Sequence, residues 1–292
     1  MSETESPNRI FFETPPPGVD LTLGRVTLRV LPREEFVFYA SLIAAEYDPL
    51  DIRPGETVLD AGANIGDFTI QASIMAGPEG NVVAVEPNPR VLPYLEWNLK
   101  VNRCSNVEIV PCALGSPGKA ALIEASDGGS VGSVIARQGV GIEIPTRSID
   151  EVFSSLGLRT PDVVKMDIEG AEGEALTGFQ GLSRVRTLAV ELHGTDNLLR
   201  VPQLLQENFE TWYETPADVW KRTLRNVATH PLDFVIAEFK SRFVATKGVL
   251  GMAAGRGHPV PSVRGDQLAI IYARHRNDTL CSRDRSEGLR PP

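Results

Sequence analysis

Cysteine is scarce: Cys104, Cys112 and Cys281 are the three in 292 residues, an odd number with no pair at metal-ligand spacing. This excludes a disulfide-stapled scaffold and a cysteine-ligated zinc site, and it points to a reducing compartment. Long hydrophobic runs are also missing. No stretch of 18 apolar residues occurs, so no membrane-spanning helix is expected. No charged-then-apolar leader opens residues 1–14, and a soluble, cytoplasmic protein is expected. Positive charge is in deficit, with 29 Lys and Arg against 38 Asp and Glu for a formal net charge of -9. A nucleic-acid partner would call for a basic surface and is not expected. The content of 42% hydrophobic and 23% charged residues excludes a disorder-dominated chain, and 292 residues are long enough for one sizeable α/β domain with appendages.

Against these absences, residues 57–66, Thr-Val-Leu-Asp-Ala-Gly-Ala-Asn-Ile-Gly, read as a short buried strand ending in an acid, then a glycine turn opening a helix over roughly 65–75. Gly62 and Gly66 allow backbone geometry that a Cβ would block. The strand-turn-helix suits a nucleotide-type cofactor, and spacing distinguishes which one. A dinucleotide fingerprint counted from Gly62 requires glycine at 64 and 67, where this chain has Asn64 and Asp67. An acid at 67, near the helix N-terminus, repels a pyrophosphate. A ligand with an ammonium and a sulfonium suits Asp60 and Asp67 better, and S-adenosylmethionine is such a ligand. The plainer alternative is a glycine turn that serves packing alone.

Residues 81–86, Asn-Val-Val-Ala-Val-Glu, form a second buried strand ending in an acid, 20 residues beyond Gly66. A carboxylate at Glu86 accepts hydrogen bonds from both hydroxyls of a ribose. Further on come Val-Glu-Pro-Asn-Pro over 85–89 with Leu95 and Asn98, Lys-Met-Asp-Ile-Glu-Gly-Ala-Glu over 165–172, and Val-Glu-Leu-His over 190–193. In this order the motifs resemble the FkbM family of class I S-adenosylmethionine-dependent methyltransferases, over roughly residues 52–205. The resemblance implies a doubly wound, Rossmann-like class I methyltransferase sheet, mostly parallel with an antiparallel last strand. It implies cofactor contacts from Asp60, Gly62, Ala63, Asn64, Gly66, Phe68, Thr69, Glu86, Pro87, Asn88, Cys112, Ala113 and Asp167.

Along the chain, residues 1–18 read as a proline-rich flexible arm. Residues 19–50 read as an extension, with a hairpin turned at Gly24 and an amphipathic helix over 34–46. The methyltransferase domain is placed at 51–276, with hairpin strands inserted at 118–146, a helical and loop insertion at 216–265, and a polar tail at 277–292. A helix over 89–101 carries Asn98, read mainly as structural. Pro111-Cys112 superficially resembles a nucleophile dipeptide but follows the wrong strand, so Cys112 reads as a wall near adenine. The turn at 127–130 has a second reading, a loop that leans over the cofactor with Ser130 or Ser133 at the pocket. Ser148 and Glu151 form a capping box. The helix over 217–228 should expose Lys221, Arg222 and Arg225, and the glycine-rich stretch 248–265 reads equally as a solvent loop or a lid.

The chemistry is expected at the carboxyl ends of the fourth and fifth strands, 162–168 and 186–192, where open α/β sheets bind ligands. Lys165 and Asp167 project to one side, Glu169 follows, and three charges in five residues at a buried strand end need partners. Lys165 also reads as a structural partner of Asp167. His193 closes the fifth strand and becomes a neighbour of Asp167 and Glu169 if the strand order is 3-2-1-4-5. The catalytic set is therefore His193, Asp167, Glu169 and Lys165. His193 is the first general base, and Asp167 or Glu169 the second. The expected reaction is methyl transfer to an oxygen nucleophile, and the resemblance implies a hydroxyl on a sugar, glycolipid or polyketide-like small molecule. Some related sugar O-methyltransferases use a divalent cation to lower the acceptor's pKa, for which Asp167, Glu191 and His193 offer ligands, but no metal is assigned. The alternatives are an RNA or other N-methyltransferase, a nicotinamide-dependent oxidoreductase and a non-catalytic cofactor-binding protein. The oligomeric state is left open, a homodimer included.

Overall fold

The computed structural model describes residues 14–32, 34–124, 132–136, 142–240 and 268–278. Most of the arm, the turn at 127–130 with Ser130, the glycine-rich stretch 248–265, His258, Cys281 and most of the tail lie outside the described residues. So does the side chain of Ser133.

Strands β1 (Val19–Leu23) and β2 (Val26–Val30) form the expected hairpin, with Gly24 at φ 57 in its turn. A short helix α1 (Phe36–Phe38) then runs into a π-helical turn, Tyr39–Ile43. The amphipathic helix expected over 34–46 is thus shorter, and it has no polar face, because Val37 through Ala45 are all buried. The segment packs against the hairpin, α2 (Asp67–Ala76) and α7 (Pro216–Thr229), so it is enclosed rather than laid on a surface.

The main sheet takes β3 (Thr57–Ala61), β4 (Asn81–Val85), β5 (Val107–Val110), β10 (Val163–Met166), β11 (Thr187–His193), β12 (Phe209–Trp212) and β13 (Leu268–His275), in the order β12-β13-β11-β10-β3-β4-β5. The five strands from β5 to β11 are parallel, and β13 inserts antiparallel between β11 and the edge strand β12. This is the doubly wound 3-2-1-4-5 order expected, with the antiparallel last strand. Both faces are covered, so the inner strands are almost continuously apolar. One face meets α2, α3 (Leu92–Val101) and the N-terminal segment. The other meets α4 (Ile149–Ser155), α5 (Glu172–Thr177) and α6 (Gly194–Leu205).

The insertion at 118–146 is larger than a hairpin. With β6 (Ala113–Leu114), β7 (Gly118–Glu124), β8 (Gly132–Ala136) and β9 (Ile142–Arg147) it makes a separate four-stranded sheet in the order β6-β9-β7-β8. The Ser148 capping box is present, with Glu151 N donating to Ser148 Oγ at 3.2 Å and Ser148 N to Glu151 Oε2 at 2.9 Å. Helices α7 and α8 (Pro231–Lys240) account for the helical insertion as far as residue 240.

Arg222 departs from expectation. It is buried, donating Nε to Ala44 O at 2.7 Å and Nη2 to Glu214 Oε2 at 2.7 Å. An arginine fork that meets both a carboxylate and a carbonyl can be buried with its donors satisfied. Asn98 is structural as read. Its Oδ1 accepts from Arg29 N at 2.7 Å, and its Nδ2 donates to Arg29 O at 3.0 Å and Ile65 O at 2.8 Å. Asn102, one turn on, repeats the pairing with Thr27 N and O at 2.9 and 2.6 Å. Two amides four residues apart, one in α3 and one capping its end, thus satisfy the edge of β2.

Candidate functional site

The turn after β3 is pinned to β4, because Gly62 N and Ala63 N both donate to Val85 O, at 2.9 and 3.0 Å. Gly62 has φ +78, and a Cβ there would lie 1.8 Å from Asp167 O, so the turn rests directly on the end of β10. Gly66 has φ +88, and its Cβ would meet Leu95 Cδ1 at 2.7 Å. Glu86, just past β4, accepts from Asn64 N and Asn88 N, each at 2.8 Å, one bond to each carboxylate oxygen. Each oxygen keeps acceptor capacity. Burial pushes the Glu86 carboxyl up to about 7, against these two amide bonds. Asn64 Oδ1, beside it, is buried without a hydrogen-bond partner.

Beneath the turn, Lys165 and Asp60 are register partners on β10 and β3. Lys165 Nζ donates to Gly62 O at 2.6 Å and faces Asp60 Oδ1 at 3.3 Å, and Thr69 Oγ1 donates to Asp60 Oδ2 at 2.5 Å. The ammonium also lies 5.5 Å from the centre of the Tyr47 ring. Burial works against the charged ammonium, but Asp60, Asp167 and Asp67 outweigh it and raise its pKa. Asp67 accepts a hydrogen bond from Ser41 Oγ of the π-helical turn. Burial raises its pKa to about 6.

Beyond the strand ends, three ligand-type atoms converge. His193 Nε2 lies 3.8 Å from Asp167 Oδ1 and 3.5 Å from Glu169 Oε2, and one such atom from each residue falls within 4.8 Å of the others. Their side chains are 14%, 29% and 35% exposed, so the group is open to a ligand. Glu169 is held at φ 54. On the inner side, His193 Nδ1 is 2.9 Å from Glu172 Oε1, a carboxylate with no exposed surface. Burial opposes the imidazolium, but the Glu172 hydrogen bond and the charges of Asp167, Glu172 and Glu169 lift His193 to about 9. Glu46 is pushed up to about 8 by burial and by Asp67 and Asp167. Burial, Asp167 and Glu46 raise Glu191 as well. Carboxylates outnumber Lys165 and His193 here, which favours a cationic ligand.

These observations fit S-adenosylmethionine. A carboxylate with spare acceptor capacity and an excess of buried acids suit its ribose and its positive charges, while the missing Cβ atoms of Gly62 and Gly66 let the turn close onto the end of β10 and onto α3. The expected strand-end residues Asp60, Glu86, Lys165, Asp167, Glu169 and His193 are brought to one end of the sheet. Other residues expected at the cofactor have buried side chains turned to other work. Phe68 packs edge-on against Tyr47, their ring centres 5.2 Å apart, and Thr69 binds Asp60. Asn88 accepts from Arg90 N at 3.0 Å. Ala63, Cys112 and Ala113 are buried, while Pro87 is partly exposed. Burial pushes the Cys112 thiol up to about 11, which leaves little of the thiolate that a nucleophile needs. Of the three cation ligands suggested by resemblance, Asp167 and His193 meet, and Glu169 takes the place of Glu191 in the cluster. Sequence reasoning passed over Glu172 and Asn197. Available signals were an acid closing the 165–172 block and an amide one helical turn after His193.

A family model described as the methyltransferase FkbM domain matches residues 60–210. The hexuronic acid methyltransferase AglP of Haloferax volcanii is 31% identical over 183 residues, covering 62% of this chain and 71% of that protein. Methyltransferase sdnD of Sordaria araneosa is 26% identical over 180 residues, covering 50% of this chain and 69% of that protein. The AMB antimetabolite synthetase AmbE of Pseudomonas aeruginosa is 28% identical over 219 residues, 60% of this chain but 10% of AmbE, so the chain matches a small part of that relative.

Proposed function

The chain belongs to the methyltransferase FkbM domain family, a family of S-adenosylmethionine-dependent methyltransferases, and we propose that it methylates a hydroxyl of a small-molecule acceptor. The observation that carries this reading is the approach of His193 Nε2 to Asp167 and Glu169 at the carboxyl ends of β10 and β11. An alcohol must lose its proton as it reacts, and an imidazole nitrogen aimed at the open end of the sheet takes it. S-adenosylmethionine supplies a methyl group already activated by its sulfonium. The protein's part is alignment and proton removal. Gly62 and Gly66 let the turn seat on the end of β10 and on α3, Glu86 accepts from the ribose, and the acids around Lys165 favour the positive charges. Asp167 and Glu169 orient the acceptor beside His193. The hexuronic acid named for the Haloferax relative makes sugars, hexuronates among them, the first acceptors to try.

The test is methyl transfer from labelled S-adenosylmethionine to a panel of glycosides, hexuronates, hydroxylated polyketides, amines and RNA. Transfer to a hydroxyl, lost in His193→Asn with S-adenosylhomocysteine binding unchanged, is the expected result. Transfer confined to amines or RNA would overturn the reading. A second reading, favoured by the three ligand atoms within 4.8 Å, puts a divalent cation at Asp167, Glu169 and His193, which would lower the acceptor's pKa. Activity that EDTA abolishes and Mg2+ or Mn2+ restores selects it; activity indifferent to EDTA leaves His193 as the base.

A further inference from the structure

Glu172 is a buried acid whose ion-pair partner among the described residues is His193. A carboxylate removed from water costs several kcal/mol unless it is paired and hydrogen-bonded. The bonding here is dense. Oε1 accepts from Gly170 N at 2.9 Å and Ile168 N at 3.3 Å, besides facing His193 Nδ1, and Oε2 accepts from Asn197 Nδ2 at 2.6 Å. Asn197 lies in the first turn of α6 and is itself buried. Its Nδ2 also lies 2.9 Å from Gly170 O and from His193 O, and its Oδ1 accepts from Gly173 N at 3.0 Å. One carboxylate and one amide thus tie the backbone on either side of Glu169 to the ring and the backbone of His193.

We propose that Glu172 and Asn197 are the positioning pair of the proton-transfer site, holding His193 with Nδ1 as the donor and Nε2 free toward the acceptor. The inference rests on the reading of His193 as the base. An ionised carboxylate only accepts, so the nitrogen facing Glu172 carries the hydrogen, and in the neutral ring the lone pair is left on Nε2. Nε2 lies 3.8 Å from Asp167 Oδ1 and 3.5 Å from Glu169 Oε2, farther than the 2.9 Å between Nδ1 and Glu172, so the single hydrogen of the neutral ring is held on the Glu172 side. The same carboxylate stabilises the imidazolium formed when the ring takes a proton. A carboxylate at the start of α5 is favoured by the helix dipole alone, but that role needs neither the histidine nor the asparagine.

The experiment follows the imidazole titrations of the full-length protein by NMR, in the wild type and in Glu172→Gln, with the His193 resonance assigned by its loss in His193→Asn. The groups that face the ring are Asp167 and Glu169 from the end of β10 and Glu172 from α5. Removal of the Glu172 charge should lower the His193 midpoint by roughly one to two pH units. With an acceptor in hand, kcat should fall on the order of 10²-fold while the KM for S-adenosylmethionine stays unchanged. A His193 midpoint unmoved in folded Glu172→Gln overturns the proposal. If Glu172→Gln does not fold, Asn197→Ala keeps the charge but frees Oε2, and a His193 midpoint and kcat both unchanged in that variant overturn it equally. The titration needs no acceptor, so a wild type that methylates no hydroxyl would sink the reading of the reaction while the NMR result still decides the positioning.

Discussion

His193 carries two opposed requirements. A base must be neutral to accept a proton, yet the acids around this ring lift it to about 9, so near pH 7 it is mostly imidazolium in the free protein. The fraction able to accept rises tenfold with each pH unit below that value. We therefore expect kcat/KM to climb with pH and level off near 9, as read from initial rates between pH 6 and 10; a profile already flat at pH 7 would exclude His193 as the base. Lys165 is the other decisive charge. Replacing it with Met leaves Asp60 buried without its cation, and loss of one partner from a buried pair costs about 3–5 kcal/mol. Urea denaturation of Lys165→Met should show a loss of that order, and Asp60→Asn added to it should recover part. If the double variant is no more stable than the single, the two side chains are not coupled.

Gly62 shows how elements transmit the site's geometry. Its missing Cβ lets the turn between β3 and α2 lie on the backbone of residue 167, which couples the cofactor turn to the strand end that bears Asp167. Gly62→Ala meets both a left-handed φ and a backbone oxygen at 1.8 Å, so the turn and β10 must separate. Binding of S-adenosylhomocysteine, measured by calorimetry, should fall at least tenfold, and unchanged affinity would mean that the turn is not the cofactor cradle. On α3, Asn98 satisfies backbone groups of β2 and of the turn before α2 at once. Asn98→Ala strands Arg29 N, Arg29 O and Ile65 O, at about 1–3 kcal/mol for each buried group left unpaired. Thermal unfolding should register the loss, with the hairpin's amides losing protection from hydrogen exchange first. A variant as stable as the parent would show that water replaces the amide.

The whole molecule should lose stability as pH rises, and the sign follows from the buried groups. Asp67, Glu86, Glu46 and His193 all have folded pKa values above the ordinary ones, at about 6, 7, 8 and 9. A group raised on folding contributes stability fully below its unfolded value and loses it as pH passes through the folded value. The four losses stack between about pH 4 and 9, so the melting temperature of the ligand-free protein should fall across that range. S-adenosylmethionine, which brings positive charge to the same acids, should stabilise more at pH 8.5 than at pH 6. A melting temperature that rises from pH 6 to 8.5 would contradict this account. No helix among the described residues is long and apolar enough to cross a membrane.

What the sequence determined is what local chemistry determines. Short apolar runs ended by an acid read as strands covered on both faces, and Gly62, Glu86 and the 165–172 block marked the end of the sheet where the candidate site residues gather. Tertiary structure decided what depends on partners remote in the chain. Arg222 looked like a solvent-facing residue of a helix until Glu214 and Ala44 O enclosed its guanidinium, and residues 34–46 looked amphipathic although the hairpin, α2 and α7 enclose residues 37–45 entirely. Glu172 closes the 165–172 block and Asn197 stands one helical turn after His193, but neither spacing says which groups the two side chains meet. Their role exists only because the register of β10 beside β11, which no local pattern encodes, sets the loop after one strand against the histidine that ends the other.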